Sequence, residues 1–160
     1  MRLKEAEQLY SSDHKGLVLS GQDLAGLVKQ TLAKGACFRL KAQGYSMLPF
    51  IRNDDILTVS PLTLSPITVG SVVAFISHRT GRLVIHRIIG KKNGRYFLKG
   101  DSTLSADGLM VKDHILGCLT KVERSGKAVG LGSGRQGLIV AFLSRIRVWY
   151  FAHLLWRFIR

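Results

Sequence analysis

The sequence is short of acids, short of cysteine, and without a long apolar run. Only 10 of its 160 residues are Asp or Glu, against 24 Lys and Arg, a formal charge of +14. So basic a balance suits nucleic acid, an anionic membrane surface or another polyanionic partner, without choosing among them. Cys37 and Cys118 stand far apart with no C-x-x-C spacing, so neither a disulfide framework nor a zinc site is indicated. Both fall in apolar, strand-like runs and are expected to be buried free thiols. No run reaches the roughly 18 apolar residues that a spanning helix needs. The first seven residues, Met1 to Glu7, are charged and have no hydrophobic h-region, so neither a secretory signal nor an N-terminal membrane anchor is expected and the chain starts out in the cytoplasm. The glycine-rich stretch 125–134 is followed by Arg135-Gln136, where a phosphate loop needs Lys-Ser/Thr. That excludes a nucleotide cradle of this type. No cofactor and no metal are expected.

What is present is one domain's length of chain, enough for a hydrophobic core. Residues 1–19 are a mixed lead-in. Ser20-Gly21-Gln22-Asp23 has the form of a capping box. Leu24, Leu27, Val28 and Leu32 follow at helical spacing, and Lys34-Gly35 closes a helix over 20–35. From Ala36 the period becomes two, with strands expected at Ala36–Lys41, Ile56–Ser60, Ser71–Ser77, Leu83–Ile89, Arg95–Lys99 and Gly117–Arg124. Thr80-Gly81 and Asn93-Gly94 are hairpin turns, the second a strong type I′ signal. No internal repeat of solenoid period is present. The expected fold is mainly β, a β-rich α+β unit over 20–124, with a short N-terminal helix and a C-terminal helix.

Residues 125–137 read as a glycine-rich linker and 138–160 as a basic, aromatic, amphipathic helix. Trp149, Tyr150, Phe151, Trp156 and Phe158 are the residue types of bilayer interfaces. Arg145 and Arg147 make a bilayer span costly. A helix lying in the interface, its arginines reaching lipid phosphate, fits better; a helix docked on the domain or on a partner protein is the alternative.

The chemistry-bearing candidate is Ser46, in Gly44-Tyr45-Ser46-Met47-Leu48-Pro49. Glycine opens the bend and proline stiffens it, so the serine is presented on a constrained turn. Such a serine is also an ordinary solvated turn residue. Of His14, His78, His86, His114 and His153, only His86 lies mid-strand. Alternation puts it on one face with Val84 and Ile88, and Leu83, Ile85, Arg87 and Ile89 on the other. Partly desolvated, an imidazole there stays neutral and able to accept a proton; a satisfied core histidine is the other reading. Asp101 and Asp107 both lie in the loop after the next strand, where either could reach an imidazole nitrogen and fix its tautomer. Both are also common turn residues.

Five blocks in order resemble the signal peptidase / SOS-repressor peptidase clan of serine proteases. They are Gly44–Pro49, similar to its Ser-Met-x-Pro nucleophile box; Arg52-Asn53-Asp54-Asp55-Ile56-Leu57; Val69-Gly70-Ser71-Val72-Val73-Ala74-Phe75; Val84-Ile85-His86-Arg87-Ile88-Ile89; and Phe97-Leu98-Lys99-Gly100-Asp101-Ser102. The fourth is similar to the base-bearing strand in its endoplasmic-reticulum and archaeal form, where histidine replaces lysine. The resemblance covers about residues 36–122 and implies coiled antiparallel sheets and a serine endopeptidase. It implies Ser46 as nucleophile, His86 as general base and Asp107 as the acid, with Asp101 a structural turn residue holding a secondary claim. Gly44 stands where many signal peptidases carry a serine that helps line the oxyanion hole. Oxyanion stabilisation would then rest on backbone N–H groups, those of Ser46 and Tyr45. Gly70-Ser71 replaces Gly-Asp, and Ala106-Asp107 replaces a paired Asp-Asp.

The activity implied is removal of a leader or propeptide at an anionic membrane surface, the protein held there peripherally from the cytoplasmic side through 138–160. Two alternatives accompany it. One is a self-cleaving regulator, with Ala25-Gly26 a possible internal cut site, although no DNA-reading helix-turn-helix is evident and the SOS repressors use lysine as base. The other is a non-enzymatic basic module binding nucleic acid or anionic lipid; nucleic acid is not favoured.

Overall fold

The computed structural model describes residues 21–131 and 134–145. The lead-in, the Ser20 cap, His14, and the tail beyond Arg145 lie outside the described residues. Helix α1, Gly21–Ala33, presents Ala25, Val28 and Leu32 to the core. Leu27, expected on that face, is 44% exposed; at about 100° per residue it falls outside the narrower face that Ala25, Val28 and Leu32 share. The helix stops as expected at Gly35, whose φ is 78°. The N–H of Gly35 donates to the Leu32 carbonyl and that of Ala36 to Thr31, the double closure that a left-handed glycine permits.

Eight strands follow: β1 Phe38–Lys41, β2 Ile56–Pro61, β3 Val72–Ile76, β4 Leu83–Lys92, β5 Arg95–Lys99, β6 Gly108–Met110, β7 Ile115–Arg124 and β8 Lys127–Val129. They form one sheet in the order β1-β2-β7-β3-β4-β5-β6, with β8 on β7 and every pairing antiparallel. The mainly β expectation holds. Asn93 and Gly94, at φ 49° and 75°, make the type I′ turn between β4 and β5. Strand β6, too short to show a period, and β8, inside the stretch expected as a linker, were not anticipated. Helix α2 begins at Gly134 and runs to Arg145, four residues ahead of the expected start at 138. Cys37 lies just ahead of β1 and is exposed, not buried as expected, because the strand starts at Phe38 on the sheet's outer edge. Cys118, on interior strand β7, is buried.

Strand β3 is central and buried on both faces. Val72 and Ala74 join a core with Val28, Leu32, Met47, Ile51, Leu57, Val59, Leu119 and Val122. Val73 and Phe75 join a second core with Ile88, Tyr96, Leu98, Met110 and Ile115. Two apolar faces on one sheet demand cover on both, and coiling supplies part of it. The β1–β2 connection touches the β5–β6 connection: the Ser102 N–H donates to the Ser46 carbonyl at 2.9 Å. Those connections join the strands at opposite ends of the sheet order, so the bond ties the two ends of the sheet together at Ser46.

Candidate active site

The loop 42–55 between β1 and β2 carries Ser46. Its base is closed by the Ala42 N–H to Asp55 carbonyl bond at 2.7 Å and the Asp54 N–H to Ala42 carbonyl bond at 2.9 Å. Met47 and Ile51 sink into the first core and moor the loop on either side of Pro49. Gly44 takes φ 95°, closed to most side chains, and its N–H donates to Asn53 Oδ1 at 3.1 Å. The Asp55 carboxylate takes two bonds from Arg124, each 2.8 Å, and one from the Arg52 N–H at 2.8 Å. Burial raises the Asp55 pKa, but Arg124 and the Arg52 N–H outweigh it and hold the carboxyl below 3.8. The bond to Asp55 holds the Arg124 guanidinium above its ordinary value. A charged pair therefore fixes the end of the loop opposite Gly44.

His86 sits in β4 and is buried, its ring tilted against Phe75 with centroids 6.1 Å apart. The expected face holds: Val84 and Ile88 pack in the second core, Leu83 and Ile85 in the first. His86 Nε2 lies 3.1 Å from Ser46 Oγ, and Nδ1 lies 2.6 Å from Asp107 Oδ2. With the ring proton on Nδ1, the imidazole donates to Asp107 and accepts from the serine hydroxyl. Asp107 is set by its own N–H, which donates to the Leu98 carbonyl at 2.9 Å just before β6 starts. Neither the Ser46 nor the Tyr45 backbone N–H meets a carbonyl acceptor among the described residues.

Asp101 is elsewhere. Both its carboxylate oxygens face Arg87, at 2.9 and 2.8 Å, and the two side chains are wholly buried. Of the two acids left open by the sequence, Asp107 is the one against His86. His78 and His114 bond each other, Nε2 to Nδ1 at 2.9 Å, joining the β3–β4 turn to the short 3-10 helix Lys112–His114. Three residues that sequence reasoning passed over complete the site. Gly100 packs against the His86 ring and the Ser46 carbonyl. Ser102 holds the Ser46 bend through its N–H and through its hydroxyl, which donates to the Tyr45 carbonyl at 2.5 Å. Arg87 anchors Asp101; its one signal was a cation set among the apolar residues of the Leu83–Ile89 run. Among the described residues no group of three His, Cys, Asp or Glu is placed to hold a metal ion.

Hydroxyl, imidazole and carboxylate thus stand in one hydrogen-bonded line, the geometry of nucleophilic acyl transfer. The family model for Peptidase S24-like proteins matches residues 16–117, which include Ser46, His86 and Asp107. The chain belongs to the Peptidase S24-like family. None of the curated proteins matches it. This Peptidase S24-like chain therefore has a serine-peptidase fold, with histidine rather than lysine facing the serine.

Proposed function

We propose that the protein is a serine endopeptidase of signal-peptidase type that removes a leader or propeptide through an acyl-enzyme. The observation that carries this reading is the unbroken contact from Ser46 Oγ through His86 to Asp107. His86 Nε2 takes the Ser46 proton as Oγ attacks a peptide carbonyl. The backbone N–H groups of Ser46 and Tyr45 receive the developing oxyanion. The C–N bond breaks, the leaving amine takes the proton from Nε2, and water then releases the acyl group by the same exchange in reverse. Asp107 stays ionised, keeps the ring proton on Nδ1 and balances the imidazolium.

The self-cleaving alternative gains little support. Ala25, at the candidate internal cut site, is buried within α1, where a peptide bond is poorly placed for attack. Attachment to an anionic membrane surface through 138–160 is part of the proposal. Leu138, Ile139 and Phe142 are exposed on one side of α2 while Val140 and Ala141 are buried, and the chain's +14 charge suits an anionic lipid face.

Incubation with a fluorophosphonate and intact-mass analysis tests the chemistry. One adduct is expected on the wild type, none on Ser46→Ala, and strongly slowed labelling on His86→Ala. Co-expressed leader-bearing proteins should be trimmed by the wild type alone. Trimming that persists in Ser46→Ala, or a wild type that never labels, would sink the assignment. Flotation with phosphatidylglycerol vesicles tests the attachment: Ile139→Asp with Phe142→Asp should leave the protein at the bottom of the gradient, and unchanged flotation removes α2 as an anchor.

A further inference from the structure

We propose that Arg87 is a positioning residue that couples the seat of helix α2 to the placement of Ser46 against His86; this rests on the acyl-transfer reading above. Arg87 follows His86 in β4, so the pleat sends the two side chains to opposite faces. Among the described residues its guanidinium, wholly buried, meets four separate segments. Nε and Nη2 donate to the two Asp101 oxygens at 2.9 and 2.8 Å, Nη1 donates to the Gly70 carbonyl at 2.9 Å, and Nη2 also donates to the Leu131 carbonyl at 3.2 Å. The guanidinium carbon lies 5.3 Å from the centre of the Phe50 ring.

Two of those segments lead to the nucleophile. Phe50 is in the Ser46 loop itself. Asp101 lies between Gly100, packed on His86, and Ser102, whose N–H holds the Ser46 carbonyl. The other two lead to the helix. Leu131 is three residues ahead of the start of α2, and Gly70 backs onto the helix so closely that a Cβ on it would stand 2.6 Å from the Gly137 carbonyl carbon. Gly70 is itself fastened beside the site, its N–H donating to the Ile88 carbonyl at 2.8 Å. A guanidinium presents its donors in a rigid planar fork, so displacing one partner disturbs the rest. Movement of α2 at Gly70 and Leu131 therefore reaches Asp101 and Phe50 together. A misplacement of about 1 Å at a reacting centre costs on the order of a hundredfold in rate.

The test is the saturating rate of Ser46 acylation by a fluorophosphonate, measured on the full chain across pH, with thermal unfolding beside it. Gly70→Ala puts a methyl 2.6 Å from the Gly137 carbonyl carbon and so lifts the helix. Arg87→Met with Asp101→Leu removes the node and both charges of the pair. Each is expected to lower the saturating rate by about ten- to a hundredfold. The probe's half-saturation concentration and the pH midpoint should stay, since His86 and Asp107 are untouched. A purely structural role would lower the melting temperature and leave the rate of the folded protein alone. Combining the two changes should be no slower than either alone, because both act through one node. Arg87→Lys, which keeps the charge but loses the fork, should not restore the rate. If the wild type labels and Gly70→Ala or the Arg87–Asp101 replacement, folded, labels equally fast, the coupling is wrong. Losses that multiply in the combined variant also overturn it. A wild type that does not label overturns the acyl-transfer reading itself, a result distinct from these.

Discussion

Gly100 stands so close to His86 that a methyl group on it would lie 3.0 Å from Nε2, the nitrogen facing Ser46 Oγ. The same methyl would lie 2.6 Å from the Ser46 carbonyl oxygen, which the Ser102 N–H fixes in place. The backbone angle of Gly100 is not what demands glycine; the close approach is. Gly100→Ala must therefore push Ser46 and His86 apart or tilt the ring. The expected result is a folded protein whose fluorophosphonate labelling is slowed by about tenfold or more. Labelling at the wild-type rate would mean that the Ser46–His86 distance is not critical.

Asp107 and Asp101 should separate cleanly by what their loss damages. Asp107→Asn leaves a neutral partner that no longer enforces the Nδ1–H tautomer or balances an imidazolium. Its rate of Ser46 acylation is expected to fall by roughly a thousandfold or more, with little change in melting temperature. Asp101→Asn strands the Arg87 charge where both side chains are wholly buried. It is expected to cost about 3–5 kcal/mol of stability. Denaturant unfolding and labelling measured on both variants decide the assignment; the reverse pattern would return Asp101 to the acid's role.

The legible part of this molecule was what periodicity and turn chemistry carry. The six longer strands, the Asn93-Gly94 hairpin, the Gly35 helix stop and the face of His86 all rest on local pattern. The illegible part was non-local. Asp101 and Asp107 sit in the same loop and have the same chemistry; what separates them is Arg87, across the sheet on β4, which claims the first. Gly100 and Ser102 are ordinary turn residues until the sheet coils and brings the Ser46 loop onto them. Strand β6 has three residues, too few to show alternation. Cys37 was misjudged because apolar neighbours do not reveal that a strand lies on an edge.

The two thiols should react on different timescales. Cys37 is exposed, with Sγ 3.3 Å from Ser60 Oγ. Cys118 is buried, burial holds its thiol above the ordinary 9.0, and Sγ lies 3.6 Å from the Val72 carbonyl it donates to. Since the thiolate is the reactive form, a maleimide at neutral pH should add once, at Cys37, and a second time only in denaturant. Two rapid additions to the native protein would place Cys118 at the surface.

The Asp55–Arg124 pair sets how the Ser46 loop responds to acid. The folded carboxyl of Asp55 has a pKa below 3.8, the ordinary value it regains when the chain unfolds. Between those values the unfolded chain binds a proton that the folded one does not, so stability falls as pH falls. The contribution is complete above 3.8 and disappears as pH drops through the lower, folded value. Asp55→Asn removes it at every pH and leaves Arg124 without its carboxylate; a cost of about 3 kcal/mol near neutrality is expected, the low end for breaking a buried pair, since Arg124 is partly exposed. The variant's stability should then be flatter below pH 4 than the wild type's, in urea titrations repeated from pH 7 to pH 2.5. Parallel acid limbs in the two proteins would show that Asp55 is not the group that titrates.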